Sequence, residues 1–239
     1  MSKKLHYIVL LILVLLIPET GYSQGKGKAR TSKPSVDFSY LVGKFSTQPD
    51  YVADMEVNAM NHIIHQTFAK KSGKIRNEFA PFEDSVTPVS NRARMYKVIV
   101  IASPDQPIIV LDPQAKTFTE LQDAPMLQAF DISKYLQTLN KFARQVIVQN
   151  AGQAQTNGYQ TTKYEMRFKR DPHGINFFFA SDYQDLLIKV ETSNPREKFS
   201  FSLTNVSLEV PDTLFEVPKG YQEIDQAELK ERFQALMAK

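Results

Sequence analysis

From Tyr51 onward, apolar residues return at every second position through one short segment after another, and this two-residue period is the strongest constraint the chain carries. Successive side chains of an extended strand point to opposite faces, so such a period marks a strand with one face buried. In Tyr51–Met60, Ala53, Met55, Val57 and Ala59 share one side while Asp54, Glu56 and Asn58 share the other. His62–Lys70 and Lys74–Phe79 follow, and the Gly-containing link Lys71-Ser72-Gly73 reads as a hairpin. The same pattern predicts strands over Met95–Ala102, Pro107–Asp112, Lys116–Leu121, Tyr159–Lys169, Ile175–Ala180, Leu186–Glu191 and Lys198–Val206, with turns at Asp112-Pro113 and at Asp171-Pro172-His173-Gly174. A parallel crossover needs a dozen residues or more, so links this short make the neighbours antiparallel.

One long segment breaks the period. Ile132, Tyr135, Leu136, Leu139, Phe142, Ala143 and Val146 fall on a single helical stripe behind Asp131, a suitable N-cap, which predicts a helix over Ile132–Val146. A shorter helix is expected over Asp225–Met237, with Ala227, Leu229, Phe233 and Leu236 as its apolar side. Strands with helices gathered on one face give an α+β architecture.

The chain opens with Lys3 and Lys4, an apolar run from Leu5 to Ile17 interrupted at His6 and Tyr7, and then Pro18 and Glu19. That is the plan of a cleavable secretory signal. It is too short for the roughly 20 apolar residues of a membrane span. Gly21 and Ser23 place the cut after Ser23, making residues 1–23 the signal peptide; an uncleaved anchor is the competing reading. Residues 24–36, rich in Gly, Lys and Ser, are expected to be a disordered basic linker, and 37–239 a single domain.

The chain has no cysteine. It therefore has no disulfide staple and no thiol to carry a lipid, so a fold of this size rests on its hydrophobic core. Export without lipidation points to the periplasm or the medium. Taking Lys3, Lys4 and Glu19 away with the signal leaves 27 basic against 25 acidic residues, and setting aside Lys26, Lys28, Arg30 and Lys33 of the linker leaves 23 against 25. A nucleic-acid binder concentrates positive charge on its folded surface, and this balance does not.

Chemistry-bearing motifs are few. No G-x-S-x-G, H-E-x-x-H or phosphate-cradling Gly loop occurs. His62 and His65 have the look of a metal pair, but three residues apart on a strand they face opposite ways. His173 falls in a turn. Asp182 with Asp185, and Glu216 with Glu223, lack a spacing that a strand or helix turns into a site. No cofactor, metal or catalytic residue is expected.

What stands out is aromatic content. Phe177, Phe178 and Phe179 put rings on both faces of one strand; Phe199, Phe201 and Leu203 line one face of another; Tyr164, Met166 and Phe168 line a third. Such stripes ordinarily fill a core. The sharper reading is a strongly curved sheet that wraps them round a cavity, closed by the Ile132–Val146 helix, as a large barrel encloses a ligand. An acyl chain buried there would gain about 0.8 kcal/mol per methylene before ordering costs. The apolar candidates are then Met55, Val57, Tyr164, Met166, Phe168, Phe177, Phe179, Phe199, Phe201 and Leu203, with Ile132, Leu136, Leu139 and Phe142 as the covering residues.

The runs Tyr51-Val-Ala-Asp-Met-Glu-Val, Ser72-Gly-Lys-Ile-Arg-Asn-Glu-Phe79 and Ile108-Ile-Val-Leu-Asp-Pro-Gln-Ala-Lys-Thr-Phe-Thr-Glu-Leu121, in that order, resemble successive strands of the LolA/LolB-like lipoprotein-localisation superfamily. Phe201 to Tyr221, with its Leu-Phe-x-Val-Pro-x-Gly-Tyr ending, is similar to the closing region of that family. The resemblance covers most of residues 50–221. It implies an incompletely closed antiparallel β-barrel with helices covering its concave face, and a carrier of lipid or acylated protein; the chain is expected to be non-catalytic and monomeric, with transient membrane contact. It also implies a lid-holding Arg, for which Arg76 is the match. An envelope protein whose barrel is filled by its own side chains is the alternative, and an enzyme without recognisable motifs a further one.

Overall fold

The computed structural model describes residues 34–59, 62–79, 97–104, 106–122, 143–169, 173–194 and 199–237. Among them the chain is mostly β, with thirteen strands and two α-helices. The strands are β1 (Ser35–Val36), β2 (Tyr51–Ala59), β3 (His62–Lys71), β4 (Lys74–Phe79), β5 (Val98–Ala102), β6 (Ile108–Asp112), β7 (Thr117–Leu121), β8 (Val146–Thr156), β9 (Tyr159–Phe168), β10 (Gly174–Ala180), β11 (Leu186–Thr192), β12 (Phe199–Ser207) and β13 (Gln222–Glu223). The helices are α1 (Phe38–Ser46) and α2 (Gln226–Met237). The β13–β7 pair is parallel, and the other pairings described are antiparallel.

The described residues form two compact units, and β12 passes from one into the other. The first holds the chain up to Pro49 together with the described part of 125–202; the second holds the described part of 50–124 and of 203–239.

In the first unit the hydrogen-bonded order is β1-β8-β9-β10-β11-β12. Two of its elements differ from expectation. Ile132, Leu136, Leu139 and Phe142 of the expected helix lie outside the described residues, but its far end is not α-helical: Ala143–Gln145 make one 3-10 turn and Val146 opens β8. The β-branched run Val146-Ile147-Val148 suits a pleated surface better than a helix. β8 then pairs with β9 through Asn157-Gly158, both at positive φ (52° and 85°), the two-residue turn that the right-handed twist of a hairpin favours. Order also begins before residue 37, because Ser35 and Val36 pair with Gln149 and Val148.

The second departure is α1. Asp37 accepts a hydrogen bond from the Ser39 amide at 2.7 Å and caps the helix, while Phe38 and Leu41 are buried. A nine-residue helix is marginal alone, so packing must hold it.

In the second unit the order is β12-β2-β3-β4-β5-β6-β7-β13. The β3–β4 hairpin turns at Ser72 and Gly73, with φ of 49° and 82°. Ala69, Ile99, Ile101 and Leu111 form one core cluster, and Val210 and Phe215 from the segment after β12 pack on it with Leu214, Val217 and Tyr221. The Leu-Phe-x-Val-Pro-x-Gly-Tyr run is therefore a core-closing device, its 3-10 turn Asp212–Phe215 inserting the Phe215 ring. Lys71 holds this segment, donating to the Val210 carbonyl at 2.8 Å and pairing with Asp212 at 3.2 Å. α2 is capped by Asp225, which accepts from the Glu228 amide at 2.8 Å, and it buries Leu229.

Candidate ligand-binding face

The strand register of the first unit decides which candidates meet. Tyr164 lies opposite Phe177, Phe177 opposite Val190, and Val190 opposite Phe201. Residues directly opposite share a face, so these four side chains form one row across β9, β10, β11 and β12. A second row joins Val148, Met166 and Ile175, and Val146 lies opposite Phe168. By alternation Phe179 and Phe199 join the same face. Phe179 is 0% exposed, whereas Phe168 and Phe201 are only partly buried. The sheet positions named here on this face carry no charge.

Charge is gathered on the opposite face. Phe178 lies opposite Lys163 on one side and Lys189 on the other. Its ring is buried between them, with the two ammonium groups 5.6 and 5.5 Å from its centroid. Lys163 pairs with Glu165 at 3.3 Å and Lys189 with Glu191, so the lysines are held along their own strands while their stems cover the ring. One strand thus presents Phe177 and Phe179 to an apolar face and Phe178 to an ionic one.

Helix α1 packs on the apolar face. Phe45 meets Phe177 and Phe179 edge-on at 5.2 and 5.6 Å between centroids. Tyr40 lies 5.9 Å from Tyr164, and their hydroxyls are 3.3 Å apart. Burial, with the Tyr40 hydroxyl and the Asp185 charge nearby, pushes the Tyr164 phenol upward, so it stays protonated. Past the helix end, Gln48 donates to the Asp185 carbonyl at 2.9 Å and accepts from the Leu187 amide at 2.7 Å, fixing the chain to the β10–β11 turn. Sequence reasoning missed α1 and its Tyr40, Lys44 and Phe45. The signal was available: Asp37 followed by Phe38, Leu41 and Phe45 is a capped apolar stripe.

The remaining candidates lie in the second unit. Met55 and Val57 are on β2, opposite Gln66 and Ile64; Val57 is buried and Met55 partly so. Leu203 on β12 is fully buried. Arg76 lies opposite Ala69 and Ile101, which puts it on the other face of the sheet from Met55 and Val57. Its guanidinium is engaged by Glu78 at 3.2 Å from two nitrogens, and Lys97 meets the same carboxylate at 3.0 Å. On the Met55 face the Asn77 side-chain oxygen is buried without a hydrogen-bond partner, beside Phe68 and Val100 in register.

The polar candidates do not converge. His62 and His65 are both on β3, with His65 Nδ1 3.7 Å from Glu56. His173 and Asp182 are exposed, as are Glu216 and Glu223, and Asp185 pairs with Lys44 at 2.7 Å. Among the described residues no group of three or more His, Cys, Asp or Glu could hold a metal ion, and no helix is long and apolar enough to cross a membrane.

No family model matches the chain, and no curated protein matches it. Among solved structures, an uncharacterised conserved protein from Thermus thermophilus superposes with a TM-score of 0.45 at 7% identity, covering 79% of this chain and 98% of that one. The Pseudomonas aeruginosa MucA/MucB complex gives 0.46 at 13% identity, with coverages of 75% and 60%. The Mycobacterium tuberculosis lipoprotein LppX gives 0.42 at 9%, with coverages of 73% and 95%. None of these three assigns the chain a family.

Proposed function

We propose that this chain is an exported, non-catalytic binder of an apolar ligand, a lipid or the acyl chains of a lipoprotein, on a sheet that curves into an incompletely closed LolA-like barrel. The observation that carries the reading is the segregation of the first unit: register puts Tyr164, Phe177, Val190 and Phe201 in one uncharged row, while Lys163, Glu165, Lys189 and Glu191 are on the reverse. Phe168 and Phe201, partly buried, are the places where a ligand would replace water. A long acyl chain gains on the order of 10 kcal/mol in gross transfer energy, which needs no charged partner.

Delipidated protein titrated with a fluorescent lipopeptide should bind it saturably, and Phe201→Glu should weaken binding more than it lowers the melting temperature. Absence of binding at micromolar protein would overturn the reading. A second reading has an observation of its own: Phe45 already sits against Phe177 and Phe179, as in an envelope protein whose interior is filled by its own side chains. On that reading the lipopeptide does not bind, and Phe201→Glu changes stability alone.

A further inference from the structure

A cation stands among the rings of the apolar face. The Lys44 ammonium lies 5.3 Å from the Tyr40 ring, 5.8 Å from Tyr164 and 5.5 Å from Phe179, and its side chain is 10% exposed. Three ring faces attract such a charge but do not neutralise it, so it requires an anion. The anion here is Asp185, 2.7 Å away, and it differs from its partner in every respect that matters for exchange. Its side chain is 44% exposed, and it follows Gln184 in a turn where both residues have left-handed φ, 57° and 58°. Neither is glycine, so the turn that presents the carboxylate is strained. The cation is caged, and the carboxylate reaches in from solvent.

Two of the three rings that cage the ammonium carry phenol hydroxyls. Tyr40 and Tyr164 share one hydrogen bond at 3.3 Å, which leaves one of their two protons to donate elsewhere. An ammonium and a hydroxyl beside an uncharged aromatic row make a donor set suited to a carboxylate or phosphate that carries a hydrocarbon chain.

We propose that Lys44 is the head-group site for an acidic amphiphile, and that Asp185 occupies the position of the ligand's anion until one arrives. On binding, the ligand's oxygen takes the place of Asp185 Oδ2 at Lys44, Asp185 turns into solvent, and the acyl chain runs along the apolar face toward the partly buried Phe168 and Phe201. One anion replaces another, so the ammonium is never left alone. This inference rests on the apolar-binder reading and adds to it the charge of the head group.

The test compares dansylamino-undecanoic acid with its methyl ester on the full chain. Wild type should prefer the acid. Lys44→Met should lower the acid-to-ester affinity ratio about tenfold, to about one. Lys44→Arg should keep the preference, and Asp185→Asn, which removes the competitor, should raise acid affinity several-fold. Decanoate should displace the probe and acetate should not. An acid-to-ester ratio unmoved in Lys44→Met, or Asp185→Asn weakening both probes alike, overturns the head-group site while leaving the binder. Displacement by acetate as effective as by decanoate reduces the site to one for a free anion and also overturns it. Binding of neither probe overturns both. Lys44→Arg and Asp185→Asn keep the answer decisive if Lys44→Met fails to fold.

Discussion

Removing the Phe45 ring is the sharpest probe of how α1 is held. Phe45 meets Phe177 and Phe179 edge-on, at 5.2 and 5.6 Å. Each such pair contributes about 0.5–1.5 kcal/mol beyond the area it buries. A fully buried Phe gains about 1.5–3 kcal/mol by transfer, and a ring buried in part gains roughly half of that. Phe45→Ala should therefore cost about 3 kcal/mol, a large share of the roughly 5–15 kcal/mol that keeps a domain folded. With a urea slope of about 1–3 kcal/mol per molar, the midpoint should fall by about 1–3 M. Tyrosine fluorescence reads the transition directly, since Tyr40 and Tyr164 lie beside the lost contact and the chain has no tryptophan. Phe45→Leu keeps much of the apolar bulk and loses the ring edges, so it should fall by less than half as much. A Phe45→Ala midpoint within a few tenths of a molar of wild type would refute the claim that these two rings anchor the helix.

Gly174→Ala should destabilise the first unit, because a Cβ there would stand 2.2 Å from the Met166 carbonyl oxygen and 2.9 Å from Arg167 Cβ. Backbone cannot retreat cheaply, so a loss of about 1–3 kcal/mol is expected in the same urea titration. Glu78 gives a pH dependence. Burial alone would raise its carboxyl, but the Lys97 and Arg76 hydrogen bonds and charges outweigh that and hold it below its ordinary 4.5. A carboxyl lowered on folding adds stability above its unfolded value and loses it as acid protonates the folded form. The acid limb of wild-type stability below about pH 4.5 should accordingly be steeper than that of Glu78→Gln; parallel limbs would refute the assignment.

The strands were legible because their cause is local. Lys74–Phe79 is a strand from end to end as its alternation predicts, and most others agree to within a residue or two. The hairpin at Ser72-Gly73 followed from its glycine. β8 was hidden because a stripe at helical spacing runs into it, and Ala143 and Val146 satisfy that stripe by coincidence. The Asn157-Gly158 turn marked the hairpin that the periodicity obscured. For the candidate face, alternation within each strand told which residues share a side, and register between strands, which no local pattern encodes, told which of them form a row. Lys44 could not have been found this way. Its meaning comes from Tyr164, Phe179 and Asp185, which are distant in sequence and meet it only after folding.

The first described segment of this chain waits long for its partners. Val36 pairs with Val148, and Tyr40 reaches a tyrosine 124 positions later. A chain that emerges with its N-terminus first therefore presents β1 and α1 long before β8 to β11 exist. Nine residues cannot keep a helix without tertiary support, and loop closure over such a separation is slow. The start of the first unit stays pliant during synthesis and is sealed only when β8 to β11 arrive. Trimming the C-terminal side of that unit would strand the N-terminal helix with an apolar stripe and nothing to lay it on.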